Sequence, residues 1–268
     1  MAPKMTLAIA LAIAAFVPAT LAAPTEIVAR QDSEPTLDPI VGGTAAAAGE
    51  FPYIVSLSSG GSHFCGGVLI NSRTVVTAAH CSDESASSVR VRAGTLTHAS
   101  GGTQVRVSRI ISHPNYNPSN TDADIAVWQL ATAIPTSSTI GYAALPAQGS
   151  DPAAGTTVTV AGWGTLTETA NGLPARLQKV DVNVVARNSC AADYSPTYSI
   201  TNNMFCAGVN GGGKDSCGGD SGGPIVDASS KTLQGVVSWG VGCARPDYPG
   251  VYTRVGNYVN WINTNSLA

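Results

Sequence analysis

Three side chains of this 268-residue chain have the types that acyl transfer requires. Ser221 lies in Gly218-Gly219-Asp220-Ser221-Gly222-Gly223-Pro224. A serine hydroxyl is a weak nucleophile at neutral pH and needs a base beside it. The carbonyl that it attacks becomes an oxyanion, which needs N–H donors aimed at it. Flanking glycines permit a tight backbone turn and leave room for substrate. Glycine-rich loops are also common connectors, so this loop alone decides little. His80 offers the base: it stands in Thr77-Ala78-Ala79-His80-Cys81, at the end of an apolar strand and next to a cysteine. That is a fixed, partly exposed place, whereas His63, His98 and His113 read as structural or solvated. Asp124 offers the carboxylate, in Asp122-Ala123-Asp124-Ile125-Ala126-Val127. A carboxylate entering a buried strand is costly unless a hydrogen bond meets it. Asp122 lies two residues earlier on the same face but farther from the apolar run, so Asp124 is preferred. A free imidazole has a pKa of about 6.5, and a general base must be neutral, so activity should rise with pH through that range.

The elements that must hold these residues read as short strands. Val89, Val91 and Ala93 alternate with Arg90 and Arg92, Val105 and Val107 with Arg106 and Ser108, and Val180, Val182 and Val184 with Asp181 and Asn183. Such alternation marks half-buried strands. The runs Val75–Ala79, Ile125–Leu130, Thr157–Ala161 and Leu233–Val237 are more continuously apolar, and their β-branched content favours strand over helix. Only the C-terminus looks helical, with Val255, Val259 and Ile262 at helical spacing. Many short strands between Gly, Pro, Ser and Asn turns predict an all-β sandwich or barrels. The stretch Ile134–Gly155 lacks alternation and predicts a domain boundary, with one half over 40–145 and another over 146–268.

The N-terminus reads differently. Lys4, an apolar run from Leu7 to Val17 and small residues at Ala19, Ala22 and Ala23 form a signal-peptide pattern over 1–22. The run is short for a membrane anchor, which needs about 20 apolar residues, and no later segment looks transmembrane. A secreted, extracellular protein is expected. Residues 23–39 carry Glu26, Asp32, Glu34 and Asp38 against Arg30, with no apolar period, and read as a linker or a propeptide. Setting aside residues 1–39 leaves 12 Lys and Arg against 13 Asp and Glu, a net charge of −1. No basic patch stands out, so nucleic acid is not an expected partner. Six cysteines, at 65, 81, 190, 206, 217 and 243, imply disulfides in an exported chain, but spacing leaves fifteen pairings open. A zinc site is disfavoured, since no close cysteine pair has metal-site spacing. No standard Asn-x-Ser/Thr acceptor, with x other than proline, occurs after residue 39.

Taken together, Ile40-Val41-Gly42-Gly43, Thr77–Cys81, Asp124-Ile125-Ala126, Cys217–Pro224, Ser238-Trp239-Gly240 and Pro249-Gly250-Val251-Tyr252 resemble the chymotrypsin-like serine proteases, and trypsins within them. The segments stand in the family's order and cover the chain from Ile40 onward. With six cysteines the chain is similar to fungal trypsins rather than the cysteine-rich vertebrate ones. The resemblance implies two six-stranded antiparallel β-barrels with a C-terminal α-helix, and a site in the cleft between them. It implies that Ser221 is the nucleophile, His80 the general base and then acid, and Asp124 the carboxylate that orients the histidine. It gives the oxyanion hole to the N–H groups of Gly219 and Ser221, and pairs Cys65 with Cys81, Cys190 with Cys206 and Cys217 with Cys243.

The same resemblance implies the substrate. Asp215 matches the base of the trypsin specificity pocket, where a buried carboxylate stays unfavourable until a cation pairs with it. Gly240 and Gly250 match the pocket walls, Ser216 a hydroxyl that helps hold the cation, Ser238 a further substrate contact and Tyr194 a supporting ring. Cleavage after Arg and Lys of protein and peptide substrates is the expectation, and protein protease inhibitors are the other expected partners. Ile40 matches the activated N-terminus and Asp220 its ion-pair partner, so a cut before Ile40 is expected to activate a zymogen. No cofactor or metal is expected: Ala93 to Ile111, which matches the vertebrate calcium loop, contains no Asp or Glu. Pro249 matches a position where proline goes with absence of sodium activation. A monomer is expected. A protease fold that has lost catalysis would lack a member of the triad, and all three are present. An esterase or lipase would place its serine before the acid and histidine, against the order here.

Overall fold

A computed structural model describes Met1 and residues 40–267. The expected signal peptide and propeptide otherwise lie outside the described residues. Short strand β1 (Thr44–Ala45) comes first. Then β2 (Ile54–Ser59), β3 (Ser62–Asn71), β4 (Thr74–Thr77), β5 (Val89–Ala93), β6 (Thr103–Ser112) and β7 (Ala126–Leu130) form a closed antiparallel barrel in the order β2-β3-β4-β7-β6-β5. The pairing of β5 with β2 closes it, and β5 alternates as read: Val89, Val91 and Ala93 are buried, and Arg90 and Arg92 are the less buried face. Leu57, Leu69, Val75, Val91, Trp128 and Leu130 meet inside, each fully buried aliphatic residue contributing roughly 2 kcal/mol.

The second barrel uses β8 (Thr157–Gly162), β9 (Gln178–Val185), β10 (Met204–Gly208), β11 (Pro224–Asp227), β12 (Leu233–Trp239) and β13 (Gly250–Arg254). Its order is β9-β10-β13-β12-β11-β8, closed by the pairing of β8 with β9, and β1 adds to the edge of β9. Val158, Val160, Val180, Val182, Phe205 and Tyr252 fill it. An apolar seam joins the barrels: Phe51, Val68 and Val127 of the first meet Trp163, Val226 and Val236 of the second. This is the chymotrypsin-like fold.

Three details depart from the sequence reading. A helix α1 (Arg187–Tyr194) precedes β10. Its only buried residues, Cys190 and Tyr194, stand four apart, so the apolar period was too thin to read. The strand expected over Val75–Ala79 ends at Thr77, and a 3-10 turn over Ala79–Cys81 follows. At the C-terminus Val255 belongs to a 3-10 turn, and α2 (Val259–Asn265) buries Val259 and Ile262. The chain after α2 returns to the first barrel, where Thr74 Oγ1 donates to the Leu267 carbonyl at 3.0 Å.

Candidate active site

His80 owes its place to the 3-10 turn after β4. Ala79 and Cys81 are buried on either side of it, and Cys81 is bonded to Cys65 on β3. The ring is left half-exposed at the barrel end. Its backbone N–H donates to Asp124 Oδ1 at 2.9 Å, and its Nδ1 lies 2.7 Å from Asp124 Oδ2. An ionised carboxylate only accepts, so Nδ1 carries the proton and Nε2 presents a lone pair. Asp124 is 1% exposed, and its oxygens are filled by the His80 N–H groups and by Ser238 Oγ at 2.6 Å. These donors offset the cost of burying the charge. Thr253 Oγ1 donates to the Asp124 carbonyl at 2.6 Å. Thus β12 and β13 of the second barrel hold an aspartate of the first. Asp122 does not share its face: its carboxylate turns to Thr201 and Asn203. Left-handed backbone at Thr121 (φ 57°) and Ala123 (φ 53°) breaks the strand alternation on which the sequence reading relied.

The Ser221 loop lies directly against this segment. Gly66 N–H donates to the Ser221 carbonyl at 2.8 Å. Gly222 adopts φ 74°, and a Cβ there would stand 2.1 Å from Thr77 Oγ1 and 2.7 Å from the Gly66 carbonyl oxygen. Only glycine allows that approach. Gly219 adopts φ 100°, with Leu173 where a Cβ would press. Among the described residues the N–H groups of Gly219 and Ser221 meet no acceptor, and Ser221 Oγ makes no hydrogen bond to His80. The nucleophile-to-base bond is often long in an enzyme without substrate. His63, read as merely structural, is 8% exposed; its Nδ1 meets Ser56 Oγ at 2.7 Å and its Nε2 the Gly219 carbonyl at 3.0 Å. Burial pushes its pKa down to about 4, so the neutral ring ties Gly219 in place. Nothing local in the sequence marks that contact, which spans 156 residues.

A cavity of about 170 Å³ opens beside Ser221 and reaches Asp215, bordered by Ser216, Ser238, Gly240 and Gly250. Asp215 is 3% exposed. Burial pushes its carboxyl up to about 7, against the opposing pull of the Ala244 and Ser216 N–H groups. Ala244 N–H donates to Oδ2 at 3.0 Å, and Ser216 Oγ stands 3.5 Å from Oδ1 and 3.3 Å from Tyr252 Oη. A Cβ at Gly250 would stand 2.5 Å from Asp215 Oδ1, whereas one at Gly240 would meet only the Gly242 carbonyl oxygen, at 3.6 Å. Cys217–Cys243 ties the two sides of the rim. Tyr194 Oη donates to the Pro249 carbonyl at 2.6 Å, and its ring meets Trp239 edge-on at 5.0 Å. Cys190–Cys206 fastens the helix of Tyr194 to β10. Ser238, expected to touch substrate, spends its hydroxyl on Asp124 while also lining the cavity.

Asp220 is fully buried and accepts from Gly164 N–H at 2.7 Å and Cys217 N–H at 2.9 Å. Burial pushes its carboxyl up to about 6. The Ile40 side chain is fully buried among Val158, Val160 and Val182. In the uncut chain its nitrogen is an amide, so no ion pair joins it to Asp220. Among the described residues one set of metal-capable side chains comes together, Cys65, His80 and Cys81, and its sulfurs are committed to a disulfide.

A carboxylate–imidazole pair on one barrel, facing a serine loop on the other, is the arrangement of the chymotrypsin-like serine hydrolases. Sequence comparison narrows this: the pattern of the trypsin family matches residues 40–262. Trypsin Blo t 3 of Blomia tropicalis is 53% identical over 227 residues, covering 83% of this chain and 84% of the relative. Pig (Sus scrofa) trypsin is 46% identical over 86% of this chain and 97% of its own length. Trypsin beta of Drosophila erecta is 45% identical over 85% and 88%. The chain therefore belongs to the trypsin family and is a trypsin-like serine endopeptidase. The narrower likeness to fungal trypsins drawn from the six cysteines is not supported by these mite, pig and fly relatives: cysteine number alone is a poor guide to subgroup.

Proposed function

We propose that this protein is secreted as a zymogen and hydrolyses peptide bonds on the carboxyl side of Arg and Lys. The observation that carries the specificity is the cavity that opens at Ser221 and ends on the buried, under-donated carboxylate of Asp215. A cation on a long apolar stem fits that slot and supplies what burial withholds. With the cation on Asp215, the following carbonyl reaches Ser221. His80 Nε2 takes the Ser221 proton as Oγ attacks, and Asp124 stabilises the imidazolium. The Gly219 and Ser221 N–H groups meet the oxyanion. His80 then protonates the leaving amine, and a water that His80 activates frees the acyl group from Ser221.

In this reading residues 1–22 are the signal peptide, 23–39 the propeptide, and 40–145 and 146–268 the two halves of the mature enzyme. Protein and peptide substrates and protein inhibitors occupy the cleft of a monomer. Two variants test the reading. Ser221→Ala should lower turnover of an arginine amide by roughly 10⁶-fold, the scale seen when a serine protease loses its nucleophile, with the fold intact by circular dichroism. Asp215→Ser should lower kcat/KM for arginine substrates far more than for substrates with an uncharged residue at that place. Near-normal turnover of the first, or a loss below about tenfold in the second, which is some 1.4 kcal/mol, would overturn the assignment.

A further inference from the structure

We infer that Asp122 is a positioning residue, which clamps the turn that delivers Asp124 onto the barrel that carries Ser221. The inference rests on Asp124 and His80 being the catalytic pair. Asp122 sits in the turn before β7. Asn117 N–H donates to its carbonyl at 3.0 Å, and its own N–H donates to Asn120 Oδ1 at 3.2 Å. Its neighbours Thr121 and Ala123 both adopt left-handed backbone, at φ 57° and 53°. Residues with side chains disfavour that region, so something must hold the turn in shape.

The half-buried Asp122 carboxylate supplies the hold. Thr201 Oγ1 donates to Oδ1 at 2.5 Å, and Asn203 Nδ2 stands 3.1 Å from both oxygens. Thr201 and Asn203 precede β10 of the second barrel. The Asn203 carbonyl in turn accepts from Arg254 N–H at 2.9 Å, next to Thr253, whose hydroxyl holds the Asp124 carbonyl. The ties on Asp122 and Asp124 therefore converge on adjoining strands of the barrel that also carries the specificity pocket. Releasing Asp122 lets the strained turn relax and shifts Asp124 and His80 against Ser221. Asp215, Ser216, Gly240 and Gly250 all belong to the second barrel, so substrate binding is left alone.

The test compares activated enzyme variants, normalised by titration with a serine-directed reagent and assayed on an arginine amide well below their melting temperatures. Asp122→Ala should lower kcat about tenfold or more with KM within about twofold, since small misplacements of reacting groups carry costs of that order. Asp122→Asn keeps an acceptor for Thr201 and should restore kcat to within about twofold of the parent. Thr201→Val removes one hydroxyl and should lower kcat about threefold at unchanged KM, which serves as the test if Asp122→Ala does not fold. An unchanged kcat in Asp122→Ala or in Thr201→Val, an equal loss in Asp122→Asn, or a loss carried by KM would each overturn the inference. Failure of the underlying reading is distinct: the parent enzyme itself would lack amidase activity sensitive to the reagent.

Discussion

Asp124 and Asp215 are both almost wholly buried, yet the site treats them oppositely. Asp124 is surrounded by donors from His80 and Ser238. Asp215 has the Ala244 and Ser216 N–H groups and one long hydroxyl contact, and burial pushes its carboxyl up to about 7. In the proposed function the first serves a charge that forms during reaction and the second a charge that arrives with the substrate. A consequence for pH follows. An aromatic amidine binds only the ionised carboxylate, and below pH of about 7 the empty pocket holds a proton that must leave first. Its inhibition constant should therefore rise as pH falls, approaching tenfold per unit, and level off above about 7. The same profile in His80→Ala would assign it to Asp215. An inhibition constant that stays flat from about pH 5 to 8 would show that Asp215 is not what the cation meets.

At the scale of elements, the groups proposed to react are placed by turns whose shape the strands cannot supply. The 3-10 turn at Ala79–Cys81 ends β4 and is stapled to β3 through Cys65. The Ser221 turn ends in β11 and touches β3 and β4 through Gly222. Gly222→Ala forces a methyl group into Thr77 Oγ1 and the Gly66 carbonyl while straining φ 74°. The backbone neighbour cannot swing away, so the loop must move. We expect kcat/KM to fall by about 10²-fold, the cost of roughly 1 Å of misplacement, with circular dichroism retained. Gly172→Ala, where nothing lies within 4 Å, is the matched control and should leave activity unchanged. Equal activity in both variants would show that the Ser221 turn tolerates displacement.

For the whole molecule, the proposed zymogen form turns on Asp220. It is buried, its carboxyl pushed up to about 6, and among the described residues only two backbone N–H groups meet it. A cut before Ile40 would create an ammonium able to pair with it, beside an Ile40 side chain already seated in the second core. The sequence before that bond is Asp38-Pro39, and Arg30 is the single basic residue in 23–39. The proposed pocket on Asp215 would have no cation to grip at Pro39, and a cut after Arg30 leaves nine residues attached to Ile40. Activation should therefore need a protease of other specificity, or trimming after a cut at Arg30. Purified precursor carrying Ser221→Ala, incubated with mature enzyme, should show no new N-terminus at Ile40 on sequencing. Clean release of Ile40 by the enzyme alone would contradict this, and full activity of uncut precursor would contradict the role of Asp220.

Alternation along the chain was enough to place β5, β6 and β9, because a strand with one buried face writes its period of two into its own residues, and β-branched apolar runs placed β8 and β12. The few residue types that acyl transfer needs pointed to His80, Asp124 and Ser221, and the resemblance to the trypsins pointed to Asp215. Helix α1 stayed hidden because two buried residues make no period. The direction of Asp122, the bond from Ser238 to Asp124 and the bond from His63 to Gly219 depended on tertiary structure alone. Their partners lie 79 or more residues apart. Local pattern records whether a residue is buried; which donor meets it is settled only when two barrels close and pack against each other.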